Sequence, residues 1–530
     1  MSRHQHVNPI RVGLITLGCA KNLVDAEIML GNLIKEGMEI TNDPAHADVL
    51  IVNTCSFIDA AQEESVDTIL QSAELREARQ PHQGLIVSGC LPQRFRKELP
   101  KLLPEVDVFM GIDQVEQAPQ LVREALDKRK LRLGSGRARS RRGKAQRDPG
   151  AIVRGLPATP APPLVDVHSR PTYIPDFGTA RFRLTPGHMA YVKIAEGCNH
   201  PCSFCIIPRM RGSHRSRALD DIVREAAQLV KSGVREINLI SQDSTYYGLD
   251  LRPRHRPNIA APDRFKAAAR ALPTEAPTLP LLLRRLNDIP GSFWIRLLYT
   301  HPAHWTDELI QTIAECKKVA RYVDIPLQHI HPLMLARMRR ETSREYIVDL
   351  LARIRAGIPG IALRTTFIVG FPGESDACFE ELLEFIDQTQ FDRLGVFTYS
   401  KEDATLAGRM ARQVPNTLRQ ERRDRAMALQ HRIARERAAA QVGRHLKVLV
   451  EREAHARELQ QAKIHSWEHG LIREDNDGAA LLRGRYLLAR GEADAPDIDG
   501  RVYVRGSLPL GRFARVKIMG HTDYDLIAES

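Results

Sequence analysis

Eight cysteines are spread over 530 residues, and six of them sit where thiolates could hold metal. Three crowd into one stretch, Cys198-Asn199-His200-Pro201-Cys202-Ser203-Phe204-Cys205, just after a predicted strand. A C-x3-C-x2-C loop of this size can wrap three thiolates around one face of a four-iron cluster. Such a cluster normally takes four cysteines, so three leave one iron open. An open iron can chelate the amine and carboxylate of a small molecule and pass it an electron. The competing reading is a zinc knuckle in which His200 or His214 is the fourth ligand, although structural zinc sites more often offer two separated ligand pairs.

The other three cysteines are scattered but share a setting. Cys19 follows Gly13-Leu14-Ile15-Thr16-Leu17-Gly18, Cys55 follows Leu50-Ile51-Val52-Asn53-Thr54, and Cys90 follows Leu85-Ile86-Val87-Ser88-Gly89. Each caps a predicted strand. If the strands are parallel, their C-terminal ends share one edge of a sheet, where open α/β folds bind ligands. Three thiols converging there make a second metal site with one position unfilled. The alternative is three buried structural cysteines, since free cysteine behaves as a small hydrophobe. Cys316 and Cys378 lie in helical patterns and are read as structural.

Polar residues at later strand ends are weaker candidates for facing a bound ligand. Gln242 and Asp243 close one predicted strand, Gln328 and His329 another, and Arg364 lies on a third. Satisfied or supporting roles fit each equally well. No G-x-x-x-x-G-K-[ST], no G-x-G-x-x-G opening a helix and no H-E-x-x-H occurs, so nucleotide triphosphatase, NAD enzyme and zinc protease readings lose their usual support.

The elements that must position these residues come in three groups. Residues 1–127 alternate short β-branched runs (Val12–Leu17, Val49–Val52, Leu85–Val87) with helical stretches (Asp25–Glu36, Ala60–Glu77), as in βαβ units with a parallel sheet. Residues 128–185 are Arg-, Pro- and Gly-rich and read as a linker or insertion. Residues 186–415 repeat the alternation six times, suggesting a partial (β/α)6 barrel, with a Pro-, Arg- and Ala-rich insert at 251–280 read as a surface excursion. A charged connecting helix spans 416–441. Residues 442–530 carry short strands between Gly, Asp and Pro turns and suit a small all-β barrel.

The net charge of +12 is local. Residues 128–147 hold ten Lys/Arg and no acid, and the rest of the chain is only +2. That run reads as a solvated connector or as an arm touching RNA phosphates. The 442–530 segment holds 14 Lys/Arg and 14 Asp/Glu, whereas a tRNA-binding barrel is expected to carry a basic face. There is no apolar run long enough to span a membrane and no secretory h-region at the start, so the chain is expected in the cytoplasm, where thiols stay reduced.

Cys198, Cys202 and Cys205 resemble the signature of the radical S-adenosylmethionine (SAM) superfamily. With Cys19, Cys55 and Cys90 and a β-barrel tail, the chain is similar to the methylthiotransferase family, whose members order an N-terminal methylthiotransferase domain, a radical SAM barrel and a C-terminal TRAM domain. The phrase Tyr322-Val323-Asp324-Ile325-Pro326-Leu327-Gln328-His329 and the closing Asp523-Tyr524-Asp525-Leu526 resemble its RimO branch, which modifies an aspartate of ribosomal protein S-twelve (uS12). The resemblance implies two 4Fe-4S clusters, on Cys198/Cys202/Cys205 and on Cys19/Cys55/Cys90. It also implies SAM as both radical source and methyl donor, with Gln242, Asp243 and Arg364 as candidate SAM contacts. A reducing partner of flavodoxin or ferredoxin type is implied too. The long Arg-rich insertion departs from the family pattern. The rival readings are a tRNA adenosine methylthiotransferase and a non-enzymatic iron–sulfur RNA-binding or sensor protein.

Overall fold

The computed structural model describes residues 8–142, 162–251, 261–273, 275–456, 464–466, 471–473 and 483–530. It divides into two compact units, residues 1–184 with 209–211, and residues 185–208 with 212–530. Among the described residues, no helix is long and apolar enough to cross a membrane.

The first unit is built on strands β1 (Arg11–Thr16), β2 (Glu39–Thr41), β3 (Val49–Thr54), β4 (Gly84–Gly89), β5 (Val108–Met110) and β6 (Leu164–Asp166). All pair in parallel, in the order β2-β1-β3-β4-β5-β6. β3 and β4 are buried along their whole length, as expected of central strands covered on both faces. The register sets Thr16 beside Asn53 and Thr54 beside Gly89, so the three predicted strands end in one row.

The 128–185 linker reading needs correction at both ends. The helix Ala118–Arg142 runs straight through the first part of the basic run. Its Ala118, Leu121, Val122 and Ala125 are buried, and Arg129 and Arg132 reach Glu77 (2.7 Å) and Asp107 (3.1 Å). Two of the run's cations are thus used inside the unit. Downstream, β6 extends the sheet, and Thr172 and Tyr173 donate backbone N–H groups to Asp113. The Arg181 Nε and the Leu184 N–H both reach the Glu27 carboxylate. Residues 143–161, with the rest of the basic run, lie outside the described residues.

The second unit carries β7 (Met189–Lys193), the short β8 (Ala195–Glu196) and β9 (Arg215–Ser216), then β10 (Glu236–Ile240), β11 (Trp294–Leu297), β12 (Val319–Asp324), β13 (Ala362–Val369) and β14 (Arg393–Thr398). β7 and β10–β14 form a six-stranded parallel sheet, the expected incomplete barrel. The 251–280 insert is more than a surface excursion. Residues 252–260 and 274 are outside the described set, but Pro262–Arg270 forms a helix whose Phe265 is buried. Thr278 then caps the helix Leu279–Asn287, part of the barrel's own layer. The 416–441 segment is likewise more than a connector. The helix Asn416–Ala439 packs Ala426 and Ile433 into the barrel core and ties Arg422 to the buried Glu374.

β15 (His445–His455), β18 (Arg485–Gly491), β19 (Val502–Arg505), β20 (Arg512–His521) and β21 (Leu526–Glu529) close into a five-stranded barrel, with β16 (Ile464–Ser466) and β17 (Leu471–Arg473) as a separate antiparallel pair. The closed barrel is anchored to the N-terminal ends of the parallel strands. Glu236, the first residue of β10, is gripped by Arg296 (2.6 Å) and by Arg490 of β18, which also holds Glu451 at 2.9 Å. Arg393 pairs with Asp494, and Tyr322 donates to Asp499 at 2.7 Å. These contacts engage Glu451, Asp494 and Asp499 of the segment. Of the eleven cations in 442–530 whose burial is described, nine are exposed, against three of nine acids. Among the described residues, this segment thus turns a basic face outward, with Lys447 opposite Arg515 and His445 opposite Lys517.

Candidate metal centres

In the first unit the ends of β1, β3 and β4 are drawn together by one side chain. Asn22, in the first turn of the helix that Cys19 precedes, donates its amide to the carbonyls of Leu17 (3.1 Å) and Thr54 (2.7 Å). Its carbonyl oxygen lies 3.9 Å from Cys90 Sγ and accepts from Arg211 Nη2 at 2.9 Å. Arg211, in the short stretch that belongs to this unit, also lies 3.4 Å from Cys90 Sγ and pairs with Asp25 at 3.0 Å. Cys55 is fixed by Ser65, whose hydroxyl accepts from its N–H and donates to its carbonyl.

The turns before Cys19 and Cys90 have φ of +94° at Gly18 and +95° at Gly89, a region that favours glycine. A Cβ on Gly18 would stand 2.8 Å from Cys55 Cβ, and one on Gly89 would stand 2.4 Å from the Thr54 carbonyl oxygen. The Cys19, Cys55 and Cys90 loops therefore converge, as their strand-end placement requires.

In the second unit Cys198, Cys202 and Cys205 lie on the loop after β8, near the C-terminal ends of the parallel strands. Cys198 N–H bonds to the Gly212 carbonyl, and Cys205 N–H to that of Cys202. The sulfurs attract donors: His200 N–H approaches Cys198 Sγ and Arg340 Nη1 approaches Cys202 Sγ, both at 3.5 Å. Burial pushes the Cys205 thiol up to about 12, with the Cys202 sulfur adding to the effect. Burial, then the Asp243 charge, raises Cys198 as well. Thiolates in such a place need a cation, which is what a metal cluster supplies.

Among the described residues, the group of three potential ligands whose donor atoms all lie within 4.8 Å of one another is His200, His301 and His304. Neither cysteine triad is drawn that tight. Two sulfurs on one tetrahedral zinc would stand about 3.8 Å apart. The wider spacing fits a cluster in which each cysteine takes its own iron.

The three weaker candidates separate. Gln242 accepts the Gly197 N–H at 2.7 Å and donates to Glu196 at 2.6 Å, which fixes the residue before Cys198. Asp243 is buried with both oxygens engaged, Oδ2 by His200 and His304 and Oδ1 by Thr245. Arg364, the third residue of β13, lies between Asp324 at the end of β12 (3.0 Å) and Asp499 of the C-terminal barrel (3.4 Å). Both of these partners are carboxylates of the protein. Gln328 adopts φ +73° and bridges to Phe367, and His329 is fully buried beside Glu374. Cys316 and Cys378 are buried, as expected of structural cysteines. Asn22, Arg211, Arg340, His301 and His304 were not singled out from the sequence. Each comes to its cysteine site through tertiary structure, and no motif spacing announces it.

Family models match each part of the chain. "Uncharacterized protein family UPF0004" covers residues 11–111, the radical SAM superfamily 192–386 and the TRAM domain 476–530. With its parallel six-stranded barrel and C-x3-C-x2-C loop, the chain is of the radical SAM class. Curated relatives narrow this further. A protein of Opitutus terrae named ribosomal protein uS12 methylthiotransferase RimO is 51% identical, over 98% of this chain and 96% of its own length. Its namesake in Akkermansia muciniphila is 47% identical, over 98% and 100%. The chain belongs to the RimO family.

Proposed function

We propose that this chain is a radical SAM methylthiotransferase that converts an aspartate of ribosomal protein uS12 to 3-methylthioaspartate. The observation that carries this reading is two separate three-cysteine sites at strand ends, in a chain of the RimO family. When bound, the two 4Fe-4S clusters and SAM supply the one-electron chemistry, the sulfur site and the methyl group. Cys198, Cys202 and Cys205 hold one cluster and leave an iron for SAM. Cys19, Cys55 and Cys90 hold the other. Such chemistry is required because the aspartate β-carbon hydrogen is too weakly acidic for a side-chain base. The protein's own part is to place target, SAM and sulfur together and to keep water away. Gln242 and Asp243 act by fixing the cysteine loop.

A ribosomal protein comes with ribosomal RNA, and the outward basic face of the C-terminal barrel suits phosphate contact better than contact with a basic protein. The remaining cations of 128–147 extend the same possibility. A flavodoxin- or ferredoxin-type donor completes the system. The same basic face favours the second reading, a tRNA adenosine as the methylthiolated target.

Mass spectrometry of uS12 and of bulk tRNA from a deletion strain decides between them. The expected result is a uS12 aspartate that lacks the methylthio group and regains it with the wild-type gene but not with Cys202→Ala. A mark lost from tRNA adenosine, with uS12 unchanged, replaces this reading by the second. The site assignment has its own test. Cys55→Ala should still form 5′-deoxyadenosine but yield no methylthiolated product, and product from that variant would refute the sulfur-holding role.

A further inference from the structure

Beside the Cys198–Cys205 loop lies a column of aromatic rings keyed to one carboxylate. His200 Nε2 and His304 Nδ1 bond to the same oxygen of Asp243, at 2.9 and 2.7 Å. The other oxygen accepts the Thr245 N–H at 3.0 Å and its hydroxyl at 2.5 Å. The rings stack. His200 and His301 have centroids 3.6 Å apart at 19°, His200 and His304 4.7 Å at 30°, and His304 and Phe265 4.3 Å at 18°. Phe265 belongs to the helix Pro262–Arg270 of the insert and is 3% exposed.

Close as these imidazoles are, His200 Nε2 and His304 Nδ1 are turned onto Asp243, and His200 and His301 are not arranged to share an ion. Two imidazoles on one tetrahedral zinc put their centroids about 5 Å apart, with lone pairs converging on the metal. Rings stacked at 3.6 Å point their lone pairs side by side. His301 Nδ1 also accepts the Ala303 N–H, which leaves the proton on its other nitrogen.

The column does something else. His200 stands between Cys198 and Cys202, so whatever fixes its ring fixes the backbone that spaces two cluster ligands. We propose that Asp243, His304 and Phe265 are positioning residues for the Cys198/Cys202/Cys205 centre. Asp243 orients His200, His304 shares that carboxylate, and Phe265 backs the stack from the insert. The inference rests on the reading of these cysteines as a cluster site. It makes the helix Pro262–Arg270 part of that centre's support.

The test uses the full chain, reconstituted anaerobically with iron and sulfide. Readouts are iron release to a chelator, the SAM-induced change in the EPR spectrum of the reduced protein, and KM for SAM against kcat for 5′-deoxyadenosine formation. Asp243→Asn should speed release of the barrel-site iron about tenfold, the scale on which partners of metal ligands act. Phe265→Ala should shift the same readouts in the same direction by less, and Phe265→Leu should recover most of the loss. In each case KM for SAM should rise more than kcat falls. Wild-type iron release and an unaltered SAM-dependent EPR change in Asp243→Asn and Phe265→Ala would overturn the proposal. So would equal iron loss from both sites with a lowered Tm, which marks general destabilisation. If Cys198, Cys202 and Cys205 all changed to Ala left the iron content full, the cluster reading itself would fail, and that outcome is distinct from the others.

Discussion

The two ends of the parallel barrel concentrate polar side chains to opposite purposes. At the C-terminal ends, donors approach the Cys198 and Cys202 sulfurs, and burial raises the Cys198 and Cys205 thiols, so that holding them as thiolates calls for a cation. At the N-terminal ends, Glu236, Arg296, Arg490, Arg393 and Asp494 satisfy one another. One end gathers sulfurs, and the other gathers opposite charges that pair with one another. Both are buried clusters of titratable groups, so burial and shifted ionisation do not by themselves mark a reactive site. What separates the ends is the chemistry of the side chains: thiols at one, matched opposite charges at the other.

The contrast is sharpest under mutation. Cys202→Ala should abolish 5′-deoxyadenosine formation, a loss of at least about a hundredfold, while the circular dichroism spectrum and Tm of the apoprotein change little. A folding defect of equal size would erase the distinction between the ends. Iron counting bears on the same end. The wild-type chain should hold about eight irons, and changing all three barrel cysteines to Ala should remove about half.

Glu236→Gln should do the reverse. Removing its charge leaves Arg296 and Arg490 buried without their shared partner, a loss of roughly 3–5 kcal/mol in urea unfolding. SAM cleavage by the protein that remains folded should be near normal. Acid should act on the same residue. Burial alone would raise the Glu236 carboxyl, but Arg490 and Arg296 overcome it and hold the group at about 2, against 4.5 when unfolded. A depressed carboxyl stabilises fully above its unfolded value. This contribution should therefore be intact above about pH 4.5 and fade as pH falls towards 2. Glu236→Gln should flatten that part of the stability profile. An unchanged acid limb in the variant would exclude Glu236 as its source.

The smallest effect is expected at Arg340. Arg340→Leu removes a donor to Cys202 Sγ. The midpoint potential of the barrel cluster should become more negative by something on the order of tens of millivolts, because hydrogen bonds to the sulfurs favour the reduced state. EPR-monitored redox titration measures this, and a potential that does not move would show that the contact is without consequence.

These two ends also differ in how far the sequence discloses them. Cys198, Cys202 and Cys205 lie in one short loop, and Cys19, Cys55 and Cys90 each end an apolar run, so spacing and pattern are enough to single them out as candidates. The parallel strands were legible for the same reason, because fully buried strands such as β3 and β4 are continuous apolar runs. The ion-pair end was not legible. Glu236 and Arg490 are 254 positions apart, and nothing local to either names the other. Arg364 shows the same: its strand alone makes it a candidate for SAM, and nothing local to it names its partner Asp499. The helix Ala118–Arg142 was missed because Gly134, Gly136 and a dense set of cations hide its apolar stripe after Ala125.

The arginines on the parallel strands also bear on inheritance. Arg364 and Arg393 are matched to Asp499 and Asp494 of the C-terminal segment, and Arg296 donates to the Glu492 carbonyl, so a foreign tail would meet them with whatever groups it happened to carry. Recombination near residue 442 would strand cations in dry protein, so this seam is a poor place for exchange between lineages. Substitutions on its two sides should instead arise as compensating pairs. For the same reason, cutting the chain at 442 asks a folding question before it can ask a docking one. Charge reversal at Arg515 and Lys517, which lie on the exposed face, asks about docking alone.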